Sequence, residues 1–191
     1  MTTTTARDTI MARRSVRAYE AKKLDKASIQ RLLNYAVRAP TAMHQEPCVF
    51  VVIQNQSLLE EISNLAKPMF EKSLHAPGHT RVHTSHDFSD PNFSIFYGAD
   101  TLIVILAKLT GSFVEADCWL AAENLMITAT EMGLGSCVIG SALMALNTPE
   151  IKAKLTIPTD YSAVAPIIIG FPDGVTAATS RNEPMVLSWI V

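Results

Sequence analysis

Two unbroken apolar runs place the strongest constraint on the fold of this chain of 191 residues. They cover Thr101–Ala107 and residues 163–170, and neither run alternates apolar with polar side chains. A strand with this pattern is buried on both faces, which requires layers of helices over a central sheet. Both runs are far shorter than the roughly 20 residues of a membrane-spanning helix. The sequence therefore predicts a layered α/β or α+β fold without a membrane span.

Local signals predict further strands and helices around these two runs. The β-branched run Val49–Ile53 predicts a strand, and residues 136–139 predict a shorter one. N-cap residues, capping-box pairs and apolar spacing predict helices at residues 9–14, from Asp25 towards Pro40, from Ser57 to Pro68, from Ser112 to Met132, and after Thr148. Residues 185–191 are expected to be extended and to pack against another surface.

Charge and cysteine content narrow the class of protein. Only 18% of the residues are charged and 48% are hydrophobic, which excludes disorder and, without a membrane span, indicates surface buried in an oligomer. The net charge of -2 argues against nucleic-acid binding, which favours a basic surface. No secretory signal is recognised. Cys48, Cys118 and Cys137 have no C-x-x-C spacing, which favours reduced thiols in a cytoplasmic protein.

The first candidate site is a basic segment, Arg13-Arg14-Ser15-Val16-Arg17. Guanidinium groups present forked donors that match phosphate oxygens, and a serine adds a short hydroxyl donor. Three cations and a hydroxyl at the end of a helix therefore indicate an anion pocket. The alternative is a solvated basic turn, and the spacing alone does not separate the two.

Two further segments have the composition of ligand loops. Residues 39–47 place two prolines around small and polar side chains, immediately before the strand predicted at Val49–Ile53. Loops at strand ends often bind ligands, although an ordinary connection has the same composition. Gly133, Gly135 and Gly140 either end a helix or let backbone N–H groups approach a flat ligand. They do not form the dinucleotide pattern G-x-G-x-x-G.

Together these segments resemble the nitroreductase family of FMN-dependent NAD(P)H oxidoreductases, from about Ile10 to the end of the chain. Residues 13–17 resemble the family's Arg-x-Ser-x-Arg/Lys motif, and residues 39–47 resemble its Ala-Pro-Ser-Ala loop. Residues 117–140 resemble its long core helix and the glycine turn that follows. The resemblance implies an α+β fold in which helices flank a mostly antiparallel central sheet. It also implies one domain over residues 1–191 and an intertwined homodimer.

The resemblance further implies where FMN would bind. Arg13, Ser15 and Arg181 would hold the phosphate, with Arg14 in the same cofactor-binding segment. Arg17 would lie beside the N1/O2 edge of the flavin, where reduction develops negative charge. The partner subunit would contribute loop residues that pack on the flavin, namely Pro40, Thr41, Ala42, Met43 and Gln45. Backbone close to flavin N5 and C4=O would come from Ile139, Gly140 and Ser141.

Five positions depart from the family pattern: His44, Glu46, Cys48, Glu123 and Thr179. They stand where Asn, Gln, Trp, Gln and, in some members, a second late cation are usual. His44 and Glu46 change the donors available to the flavin, and Cys48 replaces a large ring. Glu46 is expected to point outward, because an inward carboxylate would oppose the charge of the reduced flavin.

Residues 69–98 are predicted to form a variable, loop-rich insertion with four histidines: His75, His79, His83 and His86. Imidazoles four residues apart on a helix chelate metal ions, but Pro77-Gly78 interrupts that spacing. A lid in which His75 and His79 face the substrate is the preferred interpretation, with a plain surface loop as the alternative. No metal site is predicted.

The resulting hypothesis is a homodimer that passes hydride from NAD(P)H through flavin N5 to an electron-poor acceptor, such as a nitroaromatic or a quinone, in a ping-pong sequence. Because the flavin would supply the chemistry, no catalytic side chain is predicted. One alternative is a specialised family member that fragments flavin, removes a halogen or reduces an enoyl group. The other is a flavin- or metal-binding protein without turnover.

Overall fold

A computed structural model describes residues 5–74 and 88–191, and within this part of the chain it contains six α-helices and four β-strands. The helices are α1 (Ala6–Ala12), α2 (Lys26–Ala36), α3 (Gln56–Leu74), α4 (Val114–Glu131), α5 (Leu143–Leu146) and α6 (Pro149–Lys154). The strands are β1 (Val49–Ile53), β2 (Thr101–Ala107), β3 (Gly135–Val138) and β4 (Ser162–Gly170). Two 3₁₀ turns cover Ala42–His44 and Gly140–Ala142.

The four strands form one antiparallel sheet in the order β1-β2-β4-β3, which places the two apolar runs side by side at its centre. Ile103 lies opposite Ile167 across the β2–β4 pair, and every residue of β2 is buried. The predicted α+β fold with an antiparallel sheet is confirmed. The α/β alternative is wrong for the described strands, because none of them pairs in parallel within the sheet.

Each face of the sheet is covered by its own apolar layer. Successive side chains of a strand point to opposite faces, so Ile103 and Ile105 join one layer while Leu102 and Val104 join the other. Residues of α2 and α4 complete the first layer, and residues of α3 and α5 complete the second. Burial on both faces explains why the two apolar runs do not alternate.

Helix α3 differs from its prediction at both ends. The capping box predicted at Ser57 is wrong, because Asn55 Oδ1 accepts the N–H of Leu58 at 3.1 Å and caps the helix instead. The helix also continues through Pro68, where it was predicted to end. A proline removes one N–H donor, and the apolar contacts of α3 with the sheet outweigh that loss. Residues 69–74 of the predicted insertion are therefore helical.

The other helix starts show which caps can be predicted from local sequence. The capping box predicted at Ser112 is wrong, because α4 begins without a side-chain cap and is instead held by burial between its neighbours. Helix α1 begins earlier than predicted, since Thr5 and Asp8 form a capping box there. Asp25 and Thr148 are confirmed as N-caps, with their side chains accepting N–H groups of the first turn.

The C-terminal tail, residues 173–191, contains no helix or strand. Its apolar side chains are exposed in the single chain, with Leu187, Trp189 and Ile190 at 92%, 81% and 93%. Their packing against another surface stays a prediction. Within residues 5–74 and 88–191, no helix is long and apolar enough to cross a bilayer.

Candidate functional site

The basic segment of residues 13–17 runs along the open edge of the sheet. Arg13 ends α1, and the chain then forms a parallel bridge in which Ser15 pairs with Ser136 of β3. The N–H of Val16 donates to the carbonyl of Ser136 at 3.0 Å. These backbone contacts give the arginines of the segment a fixed position relative to the sheet.

Two glycines allow this close approach. A Cβ added at Gly135 would lie 2.8 Å from Val16 Cβ, and one added at Gly170 would lie 2.9 Å from Tyr19 Cδ1. The Tyr19 hydroxyl donates to the carbonyl of Val16 at 2.8 Å, and burial raises the pKa of this phenol. Glycine is therefore required at position 135, where Val16 crosses the strand, and at position 170, where the Tyr19 ring packs on the strand end.

A cavity of about 530 Å³ opens beside the segment. Its polar lining consists of Arg13, Arg14, Ser15, Glu123, Thr179 and Arg181. The predicted phosphate-binding residues thus meet in one cavity, although Arg181 comes from the far end of the chain. Three guanidinium groups against one carboxylate give the cavity an excess of positive charge, which suits an anion.

Arg13 and Arg14, which both line the cavity, have different local partners. Arg14 Nη1 donates to the carbonyls of Met11 and Arg13, at 2.7 and 2.8 Å. Arg13 Nε lies 3.9 Å from Glu123 Oε1, at the outer limit of an ion pair. Arg14 thus binds carbonyls close to it in the chain, whereas Arg13 makes a long contact with an exposed carboxylate.

Arg17 lies beyond the cavity, beside Tyr97. The Arg17 guanidinium carbon is 5.8 Å from the centroid of the Tyr97 ring, within the range of a cation–π contact. Tyr97 has a φ of +53°, which is rare for a bulky residue and marks a constrained position. Burial raises the pKa of Tyr97, and the Arg17 charge opposes that rise. The sequence contained no signal for Tyr97 beyond its place before a buried strand.

The loop of residues 39–47 is anchored to the start of α4. The N–H of Ala42 donates to both carboxylate oxygens of Asp117, at 3.1 and 3.2 Å, and Asp117 is only 4% exposed. Thr41 Oγ1 accepts the N–H of Glu46 at 3.3 Å. Thr41 and Ala42 are half-buried, while the other predicted flavin contacts of the loop, Pro40, Met43 and Gln45, are exposed. Sequence reasoning missed the role of Asp117. The available signal was a carboxylate next to Cys118 on a helix with many apolar residues.

The remaining predicted positions fall into two groups. Ile139 is buried, and its N–H donates to the carbonyl of Pro166 at 2.9 Å. Gly140 and Ser141 follow in a 3₁₀ turn with exposed and half-buried surfaces, directly after the strand that binds residues 13–17. The four histidines, including the predicted lid residues His75 and His79, lie outside the described residues. Their roles stay predictions.

We expect Asp117→Ala to destabilise the protein by about 2 kcal/mol, because a buried carboxylate that accepts a backbone N–H is lost. Asp117→Asn keeps one acceptor oxygen and should lose less than half as much. Urea unfolding of the two variants measures the difference. Equal losses for alanine and asparagine would show that the bonds to Ala42 do not hold the loop.

Known proteins are similar to this chain over most of its length. Residues 10–171 match the model described as the nitroreductase family. A nitroreductase structure with bound FMN from Bacteroides fragilis has a TM-score of 0.78 and 25% identity, covering 99% of this chain and 100% of that one. An iodotyrosine deiodinase from Thermotoga neapolitana is 21% identical over 187 residues, 94% of this chain and 95% of its own. An FMN reductase (NADPH) from Bacillus subtilis is 26% identical over 178 residues, 91% of this chain and 68% of its own.

Proposed function

The chain belongs to the nitroreductase family, and on that premise we propose that it is a homodimeric, FMN-dependent oxidoreductase. It would take hydride from NAD(P)H and pass it to an electron-poor acceptor such as a nitroaromatic or a quinone. The observation that carries this proposal is the cavity in which Arg13, Ser15 and Arg181 meet. Names of relatives that include nitroreductases with bound FMN and an FMN reductase support the cofactor.

The donor set of the cavity fits the phosphate group of FMN. Guanidinium groups and a hydroxyl suit a dianionic, tetrahedral ligand, and a volume of about 530 Å³ is in the range of cofactor sites. Arg13, Ser15 and Arg181 would hold the phosphate. When bound there, FMN would supply the hydride-transfer chemistry.

The residues of the chain would bind and orient the cofactor rather than react. Arg17 would place a positive charge near the flavin edge on which reduction leaves negative charge, and the contact with Tyr97 restricts where that guanidinium can lie. The strand-edge contact of Ser15 and Val16 with Ser136 would hold Arg13 and Ser15 in place before the cofactor binds. Such preorganisation reduces the entropy lost on binding.

The homodimer in this proposal is supported by exposed apolar side chains on α1 and α4. Ile10 and Met11 of α1 are 59% and 67% exposed, and Trp119 and Leu120 leave the outer face of α4 apolar. Helices α1 and α4 contact each other, so these side chains belong to neighbouring surfaces. A second copy of the chain would cover them and bring its loop of residues 39–47 to the cofactor.

We therefore expect the protein to sediment as a dimer, with twice the 20.8 kDa mass of one chain. Because the cofactor contacts would come from both subunits, all absorbance near 450 nm should move with this species. Sedimentation velocity at two wavelengths makes the measurement. A monomer that keeps its FMN would contradict a pocket shared between subunits.

Glu123 offers a test of the cavity that is particular to this chain. We expect Glu123→Gln to tighten FMN binding about two- to fivefold, because it removes a half-exposed carboxylate from the surroundings of an anionic phosphate. Fluorescence titration of the apoprotein measures the affinity. The control is Glu131→Gln on the same helix, whose carboxylate pairs with Arg31 instead. Unchanged or weaker FMN binding in Glu123→Gln would contradict the assigned phosphate position.

The proposed ping-pong order of the two substrates is tested by measuring initial rates with NADPH or NADH and a quinone acceptor. If both substrates use the same site in turn, double-reciprocal plots at several acceptor concentrations are parallel. The same experiment shows which nicotinamide is preferred. Converging lines would contradict a ping-pong sequence, and the absence of turnover with every quinone and nitroaromatic tried would contradict the proposed acceptor class.

Reductive dehalogenation is a second candidate. It is favoured by the iodotyrosine deiodinase of Thermotoga neapolitana, which matches this chain over 95% of its own length. The reduced protein would then release iodide from an iodinated tyrosine, and an iodide electrode detects the product. Fast iodide release with slow quinone reduction would favour this candidate over the first.

A further inference from the structure

Two cysteines from distant parts of the chain meet beside the loop of residues 39–47. Cys48 immediately precedes β1, Cys118 lies in α4, and their Sγ atoms are 3.7 Å apart. The residue before Cys118 is Asp117, which binds the N–H of Ala42. The loop is thus attached to the first turn of α4 by the hydrogen bond of Ala42. Where the loop ends, the thiols of Cys48 and Cys118 face each other.

The third cysteine is separated from this pair by the sheet. Cys48 and Cys118 pack in the apolar layer that contains α2 and α4, whereas Cys137 on β3 packs in the layer on the opposite face. The Cys137 thiol lies 3.5 Å from the carbonyl of Val138. Only Cys48 and Cys118 are therefore placed to react with each other.

The two paired thiols are not equivalent. Cys48 is half-buried and lines a small cavity of about 80 Å³ with Thr41 and Glu46, while Cys118 is fully buried. The Cys118 thiol beside it lowers the pKa of Cys48, whereas the neighbouring Cys48 and burial raise the pKa of Cys118. Since the thiolate is the nucleophile, an oxidant would meet Cys48 first.

We propose that Cys48 and Cys118 form a redox-active dithiol site that peroxide converts to an intramolecular disulfide. The Cys48 thiolate attacks one oxygen of hydrogen peroxide, the O–O bond breaks, and hydroxide leaves, giving a sulfenic acid. The Cys118 sulfur then attacks the Cys48 sulfur, the S–O bond breaks and water leaves. Two thiols lose two electrons and two protons, and peroxide is reduced to two molecules of water.

Formation of the disulfide requires a modest movement of the two cysteine side chains. A disulfide needs the sulfur atoms to close from 3.7 Å to about 2.0 Å. Cys48 lies at the end of a loop and beside a cavity, so its side chain has space to move. The bond would join the loop of residues 39–47 covalently to α4. This proposal rests on the thiols alone and does not depend on the proposed function.

The test treats the purified protein with a few equivalents of hydrogen peroxide, followed by alkylation and peptide mass mapping. We expect the three free thiols to fall to one, a peptide linking Cys48 to Cys118, and full recovery with dithiothreitol. Cys137→Ser is the matched control and should still form the bond. Three thiols surviving peroxide, or a link that contains Cys137 or joins two chains, would overturn the proposal.

Single substitutions separate the roles of the two thiols. Cys118→Ser should leave Cys48 as a sulfenic acid that dimedone traps, and Cys48→Ser should leave Cys118 unreacted because it is buried. Cys118→Ala serves the same purpose if serine is not tolerated in the core. Dimedone labelling of Cys118 in Cys48→Ser, at the rate seen for Cys48 in Cys118→Ser, would contradict the assigned order.

Discussion

Arg13→Ala is expected to weaken FMN binding by about 10- to 100-fold, because a charge-assisted hydrogen bond to phosphate contributes roughly 1.5–3 kcal/mol. The Arg13 guanidinium lines the cavity, and its contact with Glu123 is long, at 3.9 Å. Fluorescence titration of apoprotein with FMN measures the change. Riboflavin lacks the phosphate, so its weaker affinity should be nearly the same in the variant and in the unmodified protein.

Arg14→Ala is the matched control for this experiment. Arg14 lines the same cavity and has the same charge, but its Nη1 donates to the carbonyls of Met11 and Arg13. Because this side chain is already bound to backbone, we expect Arg14→Ala to lose less than threefold in FMN affinity, which corresponds to under about 0.7 kcal/mol. Equal losses in the two variants would show that the cavity attracts phosphate by net charge alone. A matching loss of riboflavin affinity would show that Arg13 does not bind the phosphate.

Gly135→Ala is expected to lower the free energy of unfolding by about 2–3 kcal/mol, because its added Cβ overlaps a neighbour that cannot move cheaply. That Cβ would lie 2.8 Å from Val16 Cβ, an atom fixed to its own backbone. The segment of residues 13–17 must then shift away from β3, which also displaces the predicted phosphate ligands. Both the urea midpoint and the FMN affinity should fall.

Gly111→Ala provides the comparison for this steric argument. A Cβ added there would lie 3.6 Å from Val114 Cγ2, which is an ordinary contact. We expect a change below about 0.5 kcal/mol, typical of a surface substitution. If Gly135→Ala is as stable as Gly111→Ala and binds FMN normally, the close approach of Val16 to β3 does not position the site.

The parts of the fold that the sequence predicted correctly depend on burial and on local caps. The bounds of β1 and β2 were predicted to the residue. Gln54 follows the first run, and Asp100 and Lys108 flank the second. Asp25 was a correct N-cap because its side chain reaches an N–H three residues away. The errors at Pro68 and Ser112 share one cause, since tertiary packing of α3 or α4 outweighed a local signal there. The error at Ser57 is different, because Asn55 supplies a competing local cap.

Some residues of the candidate site were predicted and others were missed. The meeting of Arg13, Ser15 and Arg181 followed from family resemblance, since no local rule links residues so far apart. Asp117 and Tyr97 were missed because their importance lies in long-range contacts with Ala42 and Arg17. The role of Gly135 was equally hidden, because its requirement comes from the neighbouring segment that crosses it rather than from its own backbone.

The central claim is that this chain holds FMN and reduces it with a nicotinamide. An absorbance spectrum of the purified protein, recorded anaerobically before and after addition of NADPH or NADH, tests it most directly. We predict flavin bands in the visible region that are lost on addition of at least one nicotinamide and restored by a quinone. A colourless protein that takes up no FMN, or a bound flavin that neither nicotinamide reduces, would contradict the claim.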